Sequence, residues 1–114
     1  TQQREAYAAY DAENGERQRI VEKLRKKYPD MDFVIGGAVS MDVFNKGNDK
    51  SQVVPRYFED ALRHNNIHFV GDRIIAPGND SALAGVLRDS DNGFIYEVET
   101  WRDTAELLKT KAFA

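Results

Sequence analysis

From residue 50 onward the chain alternates segments of helical period with short apolar runs, and this alternation restricts the fold more than any other feature. Residues 50–65 place Val53, Val54, Tyr57, Phe58, Ala61 and Leu62 at helix-like spacing. The run Ile67-His68-Phe69-Val70 has strand length, residues 79–88 are helical in pattern, and residues 94–98 again read as a strand. A last helix, capped by Thr100 or Asp103, runs through Leu107, Leu108 and Lys111. Helix, strand, helix, strand, helix predicts a parallel sheet flanked by helices. Lys46-Gly47-Asn48 makes a turn, and Asp49 is a good N-cap for the helical stretch after it. Pro55 interrupts the pattern, because an interior proline costs a helix about 3 kcal/mol. Either the helix starts near Val54 with the proline in its first turn, or it is kinked there.

The first part of the chain reads differently. Residues 2–12 have helical composition, with Ala6, Tyr7 and Tyr10 on one face, and Asn14-Gly15 interrupts them. A stronger helix comes next over residues 16–28, where Ile20, Val21, Leu24 and Tyr28 repeat at three- and four-residue spacing. Arg25-Lys26-Lys27 at its end suits the negative pole of the helix dipole, and Pro29-Asp30 stops it. Phe33-Val34-Ile35 reads as a strand ending at Gly36-Gly37. Residues 39–44 alternate Val39, Met41 and Val43 against Ser40, Asp42 and Phe44, as a half-buried strand would. Ser40 and Asp42 therefore share one face. The change of pattern places a domain boundary near residues 45–48, with residues 1–46 in one unit and 47–114 in the other.

Composition narrows the function. Sixteen basic and nineteen acidic residues give a net charge of −3, without a basic patch, so nucleic acid is not an expected partner. No apolar run approaches the roughly 18 residues that a membrane span needs. With no cysteine, disulfide scaffolds and thiolate zinc sites are excluded, and a reducing compartment is permitted.

The chemistry concentrates in Gly71-Asp72-Arg73-Ile74-Ile75-Ala76-Pro77-Gly78-Asn79-Asp80. This acidic loop comes after the strand-like run at 67–70, at the carboxyl end of a parallel strand, where open α/β sheets gather ligands. Asp72 and Asp80 are natural Mg²⁺ ligands there, because Mg²⁺ takes a few carboxylate oxygens together with substrate phosphate. Each also has a structural alternative: Asp72 as a turn former, and Asn79 or Asp80 as a cap on the next helix. Lys50 is a solvated lysine or a positive charge held against a phosphoryl group. Ser40 and Asp42 line the wet side of an antiparallel pair, or they hold sugar hydroxyls. His64 and His68 lack metal-ligand spacing and read as structural, and Trp101 reads as packing.

Together these segments resemble a known family. Val39-Ser40-Met41-Asp42-Val43-Phe44, Gly47-Asn48-Asp49-Lys50, Ile67-His68-Phe69-Val70-Gly71-Asp72 and Pro77-Gly78-Asn79-Asp80 are similar to eukaryotic-type phosphomannomutases, in the capped sugar-phosphate group of the haloacid dehalogenase superfamily. Arg17-Gln18-Arg19-Ile20-Val21 and Phe33-Val34-Ile35-Gly36-Gly37 extend the likeness upstream, and Asp103-Thr104 with Leu107-Leu108 extend it downstream.

The resemblance implies an α/β fold: part of an α+β cap over residues 1–46 and the C-terminal half of a Rossmann-like core over 47–114. It implies that Asp72, Asn79 and Asp80 serve a Mg²⁺ ion and that Lys50 steadies the phosphoryl group. Arg4, Ser40 and Asp42 would hold a hexose phosphate. It also implies a cytoplasmic enzyme, with a homodimer through the cap to which Tyr7, Tyr10, Ile20 and Leu24 could contribute. The reaction implied is interconversion of mannose 6-phosphate and mannose 1-phosphate through an aspartyl-phosphate. A sugar-phosphate phosphatase or a non-catalytic binding module are the alternatives. Two features depart from the family's pattern: Asn48 stands where an aromatic residue is usual, and Pro55 begins an unusual stretch. The superfamily's nucleophile lies in an Asp-x-Asp after the first core strand. No Asp-x-Asp closes an apolar strand near the start of this chain, and Asp89-Ser90-Asp91 lies in a polar turn after a helix. The expectation is a chain that starts inside the cap and is inactive alone.

Overall fold

The structure is a computed structural model and describes residues 1–110. Two helices, α1 (Gln2–Asn14) and α2 (Glu16–Lys27), open the chain and are separated by Gly15. The basic residues Arg25, Lys26 and Lys27 occupy the last turn of α2, where the dipole favours them. Strands β1 (Met31–Gly36) and β2 (Ser40–Asn45) form an antiparallel hairpin. α2 packs on β1, burying Val21 beside a strand whose Phe33 and Val34 are also buried.

The region expected to be helical, either from near Val54 or with a kink at Pro55, is three short pieces. A 3₁₀ turn spans Lys50–Gln52, a π-helical turn spans Val54–Phe58, and α3 spans Glu59–His64. Pro55 lies at the start of the π-helical turn, as the missing N–H requires, and the turns widen after it. Asp49 caps the 3₁₀ turn, accepting from the Ser51 N–H at 2.8 Å.

Strands β3 (Ile67–Gly71) and β4 (Gly93–Glu97) pair in parallel and are connected through α4 (Ser81–Arg88), which packs on β4. The expected mixed α/β order with a parallel pair is therefore present. The final helix α5 (Trp101–Thr110) starts with a reciprocal cap. Asp103 Oδ2 accepts from the Thr100 N–H at 2.7 Å and hydroxyl at 3.0 Å, and the Asp103 N–H reaches Thr100 Oγ1 at 3.4 Å. Both residues expected as caps thus act together; Lys111, expected near the end of this helix, lies outside the described residues.

The hairpin does not hang free. Ile35 makes a parallel bridge to Gly78, with Ile35 N–H to Pro77 O at 2.8 Å and Asn79 N–H to Ile35 O at 3.0 Å. The acidic loop is thus tied to the edge of the hairpin by one isolated bridge. The core of Val21, Phe33, Val34, Val54, Ile74, Ala84 and Leu87 accordingly draws on both halves of the chain. Among the described residues, no helix is long and apolar enough to cross a membrane.

Candidate active site

β3 ends at Gly71, and the loop after it folds back on itself. Arg73 and Asp80 close it: the Asp80 N–H donates to Arg73 O at 3.1 Å, and the Arg73 N–H donates to Asp80 Oδ2 at 3.2 Å. Asp80 is 5% exposed, so its carboxylate needs partners. The second is Lys50, whose Nζ pairs with Asp80 Oδ1. Asp80 stands at the N-cap of α4 but makes no side-chain cap bond, because its oxygens are turned to Lys50 and Arg73. The expected capping role gives way to an ion pair joining two segments thirty residues apart. Gly71 permits it: a Cβ there would lie 2.8 Å from Asp80 Oδ2.

Lys50, Asp72 and Asp80 line one open cleft of about 360 Å³ at the ends of β3 and β4, together with Thr100 and Trp101. Trp101, expected as packing, is 71% exposed there. Asp72 is exposed. Two carboxylates with room beside them fit Mg²⁺, which usually binds through one or two carboxylates, waters and a substrate phosphate. Among the described residues no group of three or more His, Asp or Glu side chains forms a metal cage. Asn79 is not aimed at this cleft. Its Nδ2 donates to Asp42 Oδ2 at 3.3 Å, across the seam between loop and hairpin.

Lys50 also borders a second cleft with Asp42 and Asn79. Register explains the placement. Val34 faces Asp42 and Gly36 faces Ser40, so Ser40 and Asp42 do share a face. Asp42 meets the acidic loop there through Asn79, with Val34 buried beside it on the same face; on the opposite face Val43 is 53% exposed. The expected burial of Val39, Met41 and Val43 is thus only partial. Gly36 makes room for the approach, since a Cβ there would meet Asp42 Oδ2 at 2.8 Å and Asn79 Nδ2 at 3.3 Å.

Ser40 lies two residues before Asp42, at the hairpin end of β2, its hydroxyl donating to Gly36 O at 2.6 Å. Arg4 is not brought to this group. It stands exposed on α1, and no hydrogen bond or ion pair joins it to Ser40 or Asp42. The structure therefore gathers Lys50, Asp72 and Asp80 in one cleft and Asp42 with Asn79 in the next, leaving Ser40 at the rim and Arg4 apart.

Three residues that position this site carried no assigned role in the sequence. Arg17 is 6% exposed, and its Nε pairs with Asp11 Oδ2 at 2.6 Å. Its Nη1 donates to the carbonyls of Gly36, Gly37 and Ser40 at 3.2, 3.3 and 2.9 Å. Burial alone pushes the Asp11 carboxyl up, but the Arg17 N–H and guanidinium outweigh it and hold the group below the usual carboxylate range. A signal was present: Arg17 precedes Ile20, Val21 and Leu24 by three, four and seven residues, on their apolar stripe. Arg73 is the third. Asp30-Met31-Asp32 also has Asp-x-Asp spacing, but it opens β1, where Asp32 pairs with Arg25 at 3.0 Å.

Comparison with known proteins agrees with this architecture. The family described as eukaryotic phosphomannomutase matches residues 1–113. The phosphomannomutase of Drosophila melanogaster is 31% identical over 110 residues, covering 95% of this chain and 43% of that protein. The phosphomannomutase of Oryza sativa subsp. indica is 35% identical over 111 residues, covering 96% of this chain and 42% of its own length. That of Saccharomyces cerevisiae is 39% identical over 82 residues, covering 70% and 32%. The chain spans less than half the length of these curated relatives. A family match over nearly every residue leaves one conclusion: the chain belongs to the eukaryotic phosphomannomutase family of the haloacid dehalogenase superfamily.

Proposed function

We propose that this chain supplies the metal loop, the phosphoryl-facing lysine and part of the sugar-binding face of a phosphomannomutase. In this reading residues 1–46 are cap and 47–114 are core. The complete enzyme interconverts mannose 6-phosphate and mannose 1-phosphate through an aspartyl-phosphate. The observation that carries the reading is the Lys50–Asp80 pair beside Asp72 at the end of parallel β3, in a chain of this family.

Each residue has a task set by its surroundings. Asp72 and Asp80 offer oxygens to Mg²⁺, which when bound offsets charge on the phosphate. Lys50, already held by Asp80, presents an ammonium to the same phosphate without having to be ordered first. Asp42, anchored by Asn79, accepts from sugar hydroxyls, and Ser40 borders them. The 114 residues contain no strand-ending Asp-x-Asp that could serve as nucleophile, so the chain alone does not turn over. Arg4, exposed on α1, is assigned to the sugar phosphate through a rearrangement of α1 or from a second copy in a dimer built through the cap.

A chimera tests the proposal. These residues replace the matching segment of the Drosophila melanogaster phosphomannomutase, and phosphorus NMR tracks mannose 1-phosphate with Mg²⁺ and a hexose bisphosphate. The expected result is conversion to mannose 6-phosphate with total phosphate ester conserved, and none by the 114-residue chain. A folded chimera that is inactive, or that releases inorganic phosphate as a phosphatase would, contradicts it.

A further inference from the structure

Arg73 lies in the acidic loop, one residue after Asp72, among the carboxylates of Asp72, Glu97, Glu99 and Asp103 around one cleft. It forms an ion pair with none of them among the described residues. Its guanidinium turns away toward the hairpin, where Nη2 donates to Gly37 O at 3.0 Å. Nε is buried on the way and has no hydrogen-bond partner among the described residues. The guanidinium is thus turned from the neighbouring carboxylates, with its Nη end still solvent-accessible, and it is held there by the partner at its other end. That partner is a carbonyl which also accepts from Arg17 Nη1 at 3.3 Å. Gly37 O is thus gripped from two sides, by Arg17 on α2 and by Arg73 on the acidic loop. The main chain of Arg73 is fixed independently, by both of its hydrogen bonds to Asp80.

We propose that Arg73 is a positioning residue that sets the distance between the Ser40–Asp42 face and the Asp72–Asp80 loop by holding the Gly37 carbonyl. The inference rests on the reading of those two groups as the sugar and metal sides of one site. Arg73 itself touches neither substrate nor metal. It fixes the spacing a hexose phosphate must bridge, and so governs affinity for the sugar phosphate and not for the ion.

The test uses the 114-residue chain with Arg73→Met and Arg73→Lys. Amide exchange is read at Ile35 and Asn79, whose N–H groups cross the seam, and at Ile67 and Val98, whose N–H groups bond within the β3–β4 half. Arg73→Met is expected to speed exchange at Ile35 and Asn79 about tenfold, the factor that loss of one charge-assisted hydrogen bond implies. Ile67 and Val98 stay unchanged, and Arg73→Lys falls between. Mannose 6-phosphate binding weakens by a similar factor, while binding of Mg²⁺ alone is unaltered. Uniformly raised exchange, or no change at Ile35 and Asn79, overturns the proposal. Should Arg73→Met not fold, the same comparison of Arg73→Lys with the parent decides it. If the parent binds no mannose 6-phosphate, the site reading fails, while the exchange data still decide whether Arg73 holds the hairpin.

Discussion

Arg17 and Asp11 form a buried ion pair that straddles the junction of two helices, with 2.6 Å between Nε and Oδ2. Asp11 Oδ1 also accepts from the Arg17 N–H at 2.7 Å, so the carboxylate caps α2 while it orients the guanidinium. The guanidinium then holds the three carbonyls that turn β1 into β2. One pair therefore fixes the helix junction and the hairpin that carries Ser40 and Asp42.

Breaking that pair from one side leaves a charge buried without its partner. Arg17→Met is expected to cost about 3–5 kcal/mol in urea denaturation. The double variant Arg17→Met with Asp11→Leu should lose less than the sum of the single changes, because neither charge is then stranded. Additive losses would contradict a coupled pair.

The same carboxylate sets an acid limit. Asp11 titrates below its ordinary value when folded, and Asp103 does too, held down by the Thr100 N–H and hydroxyl. A carboxyl depressed in the folded state contributes stability that is complete above the unfolded value of about 3.9 and is lost as pH falls toward the folded one. Stability should hold from neutral pH to about pH 5 as far as these groups decide it, and fall below about pH 4. Asp11→Asn is expected to lower stability at pH 7 and to flatten the acid slope. An unchanged slope would show that Asp11 does not contribute.

Lys50→Met removes the ammonium from a buried carboxylate whose remaining hydrogen-bond partner among the described residues is the Arg73 N–H. A loss of about 1–3 kcal/mol is expected. Millimolar Mg²⁺ should restore part of it, since a cation can take the vacated place beside Asp80. Thermal unfolding with and without Mg²⁺ reads this, and an ion-independent loss would contradict the metal assignment of that loop.

Two glycines should respond in opposite directions. Gly71→Ala puts a Cβ 2.8 Å from Asp80 Oδ2 and 3.1 Å from the Phe69 ring, and is expected to cost about 1–3 kcal/mol. Gly85, within α4, has no atom beyond its chain neighbours and its own helix backbone within 4 Å of an added Cβ, so Gly85→Ala should stabilise by about 0.5–1 kcal/mol. Equal effects on the unfolding midpoint would contradict this packing.

The elements that local pattern controls were legible in the sequence. α2, β1, the parallel β3–β4 pair and the α5 cap all arise from periodicity and capping residues. Lys50, Asp72 and Asp80 were legible as candidates, and the cleft they share arises from the fold that brings residue 50 to residue 80. What escaped depends on long-range contacts. Asn79 reads as part of a metal loop but reaches Asp42, thirty-seven positions away. Arg73 looks like an ordinary surface arginine in an acidic stretch, and only the bridge from Ile35 to Gly78 brings Gly37 within its reach. Pro55 signals a break in the helix, but the π-helical widening that follows it has no local sequence signature.

The central claim is that the acidic loop and the hairpin form one sugar-phosphate site. Titration of the 114-residue chain with mannose 6-phosphate at saturating Mg²⁺, monitored by amide chemical shifts, tests it most directly. Saturable shifts are expected at Ser40, Asp42, Lys50, Asp72 and Asp80 together, with Mg²⁺ alone moving only Asp72 and Asp80 among these residues. Shifts confined to one side of the seam, or none at millimolar ligand, would contradict it.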